Sequence, residues 1–336
     1  MMAKAFICGA SSTSLSVDER AFVATERPWG LILFARNCHE PEQIRDLVAE
    51  FRECVADIDA PVLIDQEGGR VRRLRPPIVA DYPPGDVYGR IFARDRQAGV
   101  RAAWAGARLI GADLHDLGIN VDCLPIVDVR FPETDDVIGD RAYGDTPDQV
   151  AEIGRAVASG LEAAGVLPVL KHIPGHGRAT VDSHHELPVV DAAKSELCDV
   201  DFAPFRKLND LPLAMTAHIV YGAIDPQNCA TQSPKMIGDI IRGEIGFDGC
   251  LMSDDVSMRA LGGEMRERVA SLFAAGCDLA LHCNGDFAEM RDVAAASPEL
   301  RGKALARANA AKARLRAPEP VDRKALREEF ERLIGA

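Results

Sequence analysis

The segment VLPVLKH, residues 166–172, is a short apolar run that ends in a lysine and a histidine. Seven further runs of this kind occur elsewhere in the chain, four before this segment and three after it: AFICGA (5–10), GLILFA (30–35), PVLIDQE (61–67), INVDCLPIVDV (119–129), PLAMTAHI (212–219), GCLMSDD (249–255) and DLALHCN (278–284). Apolar runs of this length that are rich in β-branched residues predict buried β-strands. We therefore expect eight strands.

Amphipathic stretches separate these strands. In the clearest of them, apolar residues return at helical spacing and charges occupy the opposite face: PEQIRDLVAEFRECV (41–55), TPDQVAEIGRAVASGLEAAG (146–165) and EMRERVASLFAAG (264–276). Buried strands that alternate with helices indicate a parallel sheet, and a count of eight favours a closed (β/α)₈ TIM barrel over a doubly wound open sheet. We expect residues 1–336 to form one domain, closed by two helices from about residue 305 onward.

Polar residues at the strand ends support the barrel. Most predicted strands end in side chains that can take part in chemistry: Asp65-Gln66-Glu67, Asp128, Lys171-His172, His218, Ser253-Asp254-Asp255 and His282. Barrels collect catalytic groups from the carboxyl ends of many strands, whereas open sheets concentrate them at one switch point. The active site is therefore expected at the carboxyl ends of the strands.

Composition limits the possible partners. The 336 residues carry a formal net charge of -13, which argues against binding to nucleic acid or to an anionic membrane surface. The nine cysteines are irregularly spaced without a C-x-x-C pair, so they predict reduced thiols rather than a zinc or redox site. The amino-terminal apolar run is too short for a signal peptide, and no stretch is long enough to span a bilayer. We expect a cytoplasmic protein that acts on a small molecule without a metal or cofactor.

The densest group of ionisable residues lies in KHIPGHGRATVDSHHELPVV, residues 171–190. A polar, glycine-containing loop directly after a buried strand is typical of an active site. Asp182 and His184 are two residues apart, so in a turn the carboxylate can orient the imidazole and make it a proton shuttle. His185 is the alternative for that role.

Two further strand ends offer carboxylates. Adjacent residues of a strand point to opposite sides, so only one of Asp254 and Asp255 can face the barrel interior. In LIDQEGGRVRRL, residues 63–74, Asp65 precedes a Gly-Gly turn and a basic stretch that includes Arg73. An acidic group beside an arginine suits the binding of sugar hydroxyls. The segment does not have the residue order G-x-x-x-x-G-K-[ST] of a phosphate-binding loop.

These motifs resemble glycoside hydrolase family 3 β-N-acetylglucosaminidases. The resemblance rests on LIDQEGGRV (63–71), IGDRAYG (138–144), KHIPGHG (171–177), VDSHHELP (181–188), MTAHI (215–219) and GFDGCLMSDDVSM (246–258). It implies metal-independent hydrolysis with retention of configuration. The roles it implies are Asp254 as nucleophile, His184 as acid/base with Asp182 as its partner, and substrate binding by Asp65, Arg73, Arg141, Lys171 and His172.

The resemblance also implies a substrate. It is terminal β-linked N-acetylglucosamine, attached to a 1,6-anhydro-N-acetylmuramic acid unit that can carry a peptide, as in peptidoglycan recycling in the cytoplasm. The sugar's own 2-acetamido group is an alternative nucleophile, with Asp254 then orienting it. Oligomeric state, with a monomer as one option, and the roles of Glu67, His185 and His282 stay open.

Four other functions are compatible with parts of the sequence. A metal-dependent barrel hydrolase could use His172, His176, His184, His218 and His282, although the chain lacks the usual metal motifs. A Schiff-base lyase would use Lys171. A phosphorolytic transferase would exploit a histidine acid/base, which does not repel phosphate. A sugar-binding protein without turnover would not need Asp254, Asp182 and His184 together.

Overall fold

A computed structural model describes residues 2–131, 137–179, 181 and 186–335. Eight parallel strands form a closed barrel in which each strand pairs with its neighbours in chain order and β8 pairs with β1. The strands are β1 Lys4–Gly9, β2 Pro28–Leu33, β3 Val62–Ile64, β4 Val121–Asp122, β5 Leu167–Ile173, β6 Leu213–Thr216, β7 Cys250–Asp255 and β8 Leu279–His282. The predicted (β/α)₈ barrel is confirmed, and the open sheet is excluded.

Helices surround the barrel. They are α1 Val17–Glu26, α2 Pro41–Val55, α3 Gly85–Arg94, α4 Arg96–Asp116, α5 Pro147–Ala163, α6 Ala203–Lys207, α7 Met265–Ala275, α8 Phe287–Ala296, α9 Gly302–Lys312 and α10 Arg323–Ile334, with a helical turn at Lys194–Glu196 and π-helical segments at Leu197–Asp201 and Met236–Glu244. Across the described residues, no helix combines the length and apolarity that crossing a membrane requires.

Local signals set the ends of these helices. Helix α2 coincides with the predicted stretch 41–55. Helix α7 begins after Glu264 and ends at Gly276, whose left-handed backbone (φ 111°) favours glycine. Before α8, the Asp286 carboxylate accepts hydrogen bonds from the N–H groups of Ala288 (2.8 Å) and Glu289 (3.0 Å), which caps the helix.

Strand alternation divides the core into two layers. In β1, Ile7 points into the barrel, while Phe6 packs between the barrel and its helices. The same period places Leu63, Val169 and Met252 inside the barrel. Because side chains two residues apart share a side, the next inward positions after these three are Asp65, Lys171 and Asp254. The sequence period thus brings three ionisable groups to one end of the barrel interior.

The fourth predicted strand is shorter than expected. The apolar run 119–129 suggests a long strand, but only Val121–Asp122 has strand geometry. Pro125 has no N–H to donate, so the ladder is interrupted there. The chain nevertheless stays beside β5, since the N–H of Val169 donates to the carbonyl of Leu124 (2.8 Å) and that of Lys171 to the carbonyl of Pro125 (3.1 Å).

Helix α10 packs onto the barrel's outer helices through Phe330. The Phe330 side chain is buried against the rings of Tyr82 and Tyr88, with centroids 6.2 and 6.5 Å away. The Arg101 guanidinium adds a two-pronged ion pair to Glu329, with both distances at 2.7 Å.

Replacing Phe330 with alanine should leave a cavity beneath α10. We expect Phe330→Ala to lower the free energy of unfolding by about 3 kcal/mol or more, the usual cost of truncating a buried aromatic residue. Urea denaturation measures this loss. The neighbouring exposed residue provides the control, since Glu331→Ala should change stability by less than about 0.5 kcal/mol. Equal effects of the two substitutions would contradict the packing described.

Candidate active site

A cavity of about 760 Å³ opens at the carboxyl ends of the barrel strands. Its wall combines ionisable residues with apolar side chains. The lining includes Asp65, Arg70, Arg73, Arg130, Arg141, Lys171, His172, His176 and Asp254, together with Ile32, Val71, Met215, Met258 and Leu281. Five predicted substrate-binding residues and the predicted nucleophile therefore lie in one cavity.

Lys171 is the centre of a buried ionic network. Its side chain is 2% exposed, and its ammonium group lies 2.8 Å from Asp65 Oδ1 and 2.9 Å from Glu67 Oε1. Burial alone would lower the pKa of Lys171, but these two carboxylates raise it above its ordinary value. Lys171 is therefore a fixed cation, and a neutral amine for Schiff-base chemistry is disfavoured.

Two arginines complete the network. The Arg141 guanidinium donates two parallel hydrogen bonds to Glu67, both 2.8 Å long, and Arg73 Nη2 lies 2.9 Å from Asp65 Oδ2. Burial would raise the pKa of each carboxyl, but the cations lower both values, so Asp65 and Glu67 stay ionised. Glu67, whose role the sequence left open, holds Lys171 and Arg141 in place.

His172 is oriented by a buried carboxylate. Its Nδ1 lies 2.7 Å from Asp128 Oδ2, and Asp128 Oδ1 accepts the backbone N–H of His176 at 2.6 Å. The ring therefore turns its Nε2 edge away from Asp128. Burial, with a further contribution from His172, lowers the pKa of His176 to about 4, so this ring is neutral near pH 7. The sequence predicted Asp128 as a polar strand end but did not identify it as the partner that positions His172.

Asp254 and Asp255 face opposite sides, as predicted. Asp254 lines the cavity, and its Oδ1 accepts the N–H of Asp255 at 2.8 Å. Asp255 points away and accepts hydrogen bonds from Ser257 Oγ (2.6 Å) and from the N–H of Cys283 (3.1 Å). Burial would raise the pKa of Asp254, but His218, His172 and the Asp255 N–H lower it below its ordinary value. Asp254 is thus an ionised carboxylate in the cavity.

The predicted acid/base lies in a segment that the structure does not cover. Asp182, His184 and its alternative His185 fall outside the described residues, so their roles stay predictions. Downstream of them, the short strand Val189–Val190 pairs in parallel with Val220–Tyr221, which returns this part of the chain to the barrel.

Other histidines proposed as metal ligands have different partners. His218 is buried and uses both ring nitrogens, on Thr231 Oγ1 (2.7 Å) and on the carbonyl of Asp255 (3.0 Å). His282 is buried, with its Nε2 3.1 Å from Glu289 Oε2 on the outer side of β8. Neither is among the residues described as lining the cavity. The metal-hydrolase interpretation therefore loses two of its five proposed ligands.

A family model matches most of the chain. The model for the glycosyl hydrolase family 3 N-terminal domain covers residues 9–316. The chain belongs to glycosyl hydrolase family 3. The predicted resemblance and the prediction of a glycoside hydrolase are confirmed.

Individual proteins of this family align closely with the chain. A β-hexosaminidase of Alkalilimnicola ehrlichii is 38% identical over 84% of this chain and 82% of its own length. NagZ from Neisseria gonorrhoeae, in complex with N-trifluoroacetyl-D-glucosamine, superposes with a TM-score of 0.90 at 28% identity, covering 99% of both chains. A family 3 β-N-acetylglucosaminidase from Paenibacillus has 31% identity and a TM-score of 0.86 over 98% of this chain, which spans 66% of that protein.

Removing the charge of Glu67 should destabilise the site. We expect Glu67→Gln to lower the free energy of unfolding by about 3 kcal/mol or more at pH 7, because buried cations lose a partner. The folded pKa of Glu67 is lowered, so its contribution is complete above the unfolded value near 4.5 and is lost as the pH falls through the folded value.

Urea denaturation of wild type and variant from pH 7 down to pH 4 measures this effect. The difference should narrow as the pH falls below about 4.5, the ordinary glutamate value. Glu53→Gln, at an exposed position of α2, is the matched control and should change little at any pH. A Glu67→Gln variant as stable as the wild type would exclude the network's structural role.

Proposed function

We propose that the chain is a retaining β-N-acetylhexosaminidase that removes terminal β-linked N-acetylglucosamine. The observation that carries the proposal is the ionised Asp254 in a cavity that is also lined by charged and polar side chains. Retaining hydrolysis needs a carboxylate below the anomeric carbon and a proton donor at the leaving oxygen. The names of the similar proteins, a β-hexosaminidase and a β-N-acetylglucosaminidase, support the choice of an amino sugar.

Asp254 is the nucleophile in this proposal. Its Oδ1 is occupied by the Asp255 N–H, which leaves Oδ2 to attack the anomeric carbon. As that bond forms, the bond to the leaving oxygen breaks, and His184 as imidazolium donates a proton to that oxygen. Neutral His184 then takes a proton from the water that displaces Asp254, while Asp182 stabilises the charged imidazole.

The ionic network binds the sugar in this proposal. Asp65 can accept hydrogen bonds from hydroxyl groups, while Arg73, Lys171 and His172 donate to sugar oxygens. Arg141 lines the same cavity. The Arg73 guanidinium also lies 4.7 Å from the ring centroid of Phe34, which helps to fix its orientation. Since these groups already hold one another, little side-chain entropy is lost when the sugar binds.

The leaving group that we propose is 1,6-anhydro-N-acetylmuramic acid, with or without a peptide. This unit carries a carboxylate, and the mouth of the cavity offers a cation. Arg130 is exposed and lines the cavity, and no ion pair of its side chain is found among the described residues. In contrast, Arg70 pairs with Asp140 at 2.9 Å. We propose that Arg130 binds the carboxylate of the acidic leaving group.

We propose that this reaction belongs to peptidoglycan recycling in the cytoplasm. All nine cysteines lie within the described residues as free thiols, and seven of them are buried. Unpaired cysteines in this number are typical of a reducing compartment. A recycled muropeptide fragment would reach the enzyme there as a small soluble molecule.

Substitutions of the two catalytic groups test the mechanism. We expect Asp254→Asn to abolish the cleavage of 4-nitrophenyl N-acetyl-β-glucosaminide, because the amide is a poor nucleophile. His184→Ala should slow cleavage of N,N′-diacetylchitobiose by roughly 10²- to 10⁴-fold, the usual contribution of acid/base catalysis. Asp239→Asn, at an exposed position, is the control and should keep wild-type turnover.

The same assays separate the competing functions. The wild type should prefer the acetamido glycoside over the matching β-glucoside and keep its activity with EDTA. Full activity of His184→Ala on the disaccharide would disprove the acid/base assignment. Absence of cleavage by the wild type would instead favour a sugar-binding protein.

Removing Arg130 should affect only acidic substrates. We expect Arg130→Ala to raise KM for N-acetylglucosaminyl-1,6-anhydro-N-acetylmuramic acid about two- to fivefold, the size of an exposed ion pair. KM for the neutral 4-nitrophenyl glycoside should not change. Arg130→Lys keeps the positive charge and should keep KM for the acidic substrate close to the wild-type value. Arg94→Ala, at an exposed arginine outside the cavity lining, should leave KM unchanged for both substrates. Equal KM changes for both substrates would contradict the role of Arg130.

A further inference from the structure

A chain of buried polar side chains lies behind the wall that carries Asp254. Thr216 is the last residue of β6, His218 follows it, and Thr231 lies in a helical turn, Ala230–Gln232. All three are 0% exposed. Thr216 Oγ1 lies 2.7 Å from Thr231 Oγ1, which lies 2.7 Å from His218 Nδ1. None of the three is among the residues described as lining the cavity.

Both ends of this chain reach the backbone around Asp254. The N–H of Asp254 donates to Thr216 Oγ1 at 3.4 Å, and His218 Nε2 lies 3.0 Å from the carbonyl oxygen of Asp255. The three side chains therefore hold the dipeptide Asp254–Asp255 at its first N–H and at its last carbonyl. This dipeptide contains the proposed nucleophile.

The hydrogen positions follow from the partners. A carbonyl oxygen only accepts, so His218 Nε2 must carry its proton. Burial lowers the pKa of His218, which makes the ring neutral and leaves Nδ1 as an acceptor. Thr231 must then donate its hydroxyl hydrogen to Nδ1, a closer partner at 2.7 Å than the carbonyl of Ala217 at 3.2 Å.

The remaining hydroxyl has one consistent direction. Because the Thr231 hydroxyl donates its only hydrogen to His218, its oxygen accepts the hydroxyl hydrogen of Thr216. Thr216 in turn accepts the N–H of Asp254. Every polar atom of the chain is satisfied in this arrangement, and it leaves the hydroxyl hydrogens no second orientation that satisfies the same atoms.

We propose that Thr216, Thr231 and His218 are positioning residues that fix the Asp254 carboxylate for attack. The Asp255 N–H, held between the two clamped points, bonds Asp254 Oδ1 at 2.8 Å and so sets the rotation of the carboxylate. A shift of this backbone would move Oδ2 relative to the anomeric carbon, and misplacement of a reacting atom slows the chemical step. This inference rests on the proposed function.

A role in filling space alone does not require these polar groups. Valine has nearly the shape of threonine, and apolar residues at both ends of a buried hydrogen bond can be as stable as the polar pair. Instead, the side chains on β6 and on the loop after it form four hydrogen bonds in which each donor faces an acceptor. These hydrogen bonds connect the backbone of the proposed nucleophile to side chains that are not among the residues described as lining the cavity.

Thr231 provides the sharpest test because it is distant from substrate. Thr231→Val removes the hydroxyl and keeps the shape, while Thr231→Ser keeps the hydroxyl. We expect Thr231→Val to lower kcat for 4-nitrophenyl N-acetyl-β-glucosaminide about tenfold, and Thr231→Ser to stay within about threefold of wild type. The Kd of N-acetylglucosamine, measured by calorimetry, should change less than twofold in both variants.

A second pair of variants covers the case in which Thr231→Val does not fold. His218→Gln can place an amide N–H near the Asp255 carbonyl, whereas the shorter side chain of His218→Asn cannot, so kcat should fall further in His218→Asn. Equal kcat values within each pair, or a loss of N-acetylglucosamine binding that matches the loss of kcat, would overturn the positioning role. Wild type and Asp254→Asn are run alongside. Failure of the proposed function would appear there, as an inactive wild type or an active Asp254→Asn.

Discussion

The site depends on the enclosure of one ammonium group by two carboxylates. Lys171, at the end of β5, lies between Asp65 and Glu67, which follow β3. Buried charges are tolerated only when they are paired and hydrogen-bonded, so the three side chains hold one another in a single arrangement. Arg73 binds the other oxygen of Asp65, and Arg141 binds both oxygens of Glu67. The positive charge of Lys171 also contributes to the lowered pKa of Asp254 across the cavity.

The barrel supplies the geometry for this network through strand alternation. Inward positions carry the ionisable residues Asp65, Lys171 and Asp254, while the outward positions Thr216 and His218 lie behind the wall. One end of the barrel therefore has an inner layer that contacts substrate in the proposed mechanism and an outer layer that holds the backbone of the inner one. Catalytic geometry built on strands and supported by a second layer is more rigid than geometry carried by loops alone.

Much of this architecture could be predicted because it follows from the regular spacing of apolar residues in the strands and helices. The apolar runs located the eight strands, and the residues at their ends predicted where the ionisable groups converge. Partnerships across the barrel could not be predicted, since Glu67 and Arg141 are 74 residues apart and only the closed sheet brings them together. Asp128 and Thr231 were missed for the same reason. The break at Pro125 was missed because an apolar run does not reveal where a ladder loses a donor.

Trapping the covalent intermediate tests the central claim that Asp254 is the nucleophile. A 5-fluoro N-acetyl-β-glucosaminyl fluoride keeps the 2-acetamido group and slows the hydrolysis of a glycosyl-enzyme. Mass spectrometry of the digested protein should find one added sugar on the peptide that contains Asp254, and none in the Asp254→Asn variant. Processing of the reagent by wild type with no adduct on that peptide would contradict the account and favour the acetamido group as internal nucleophile.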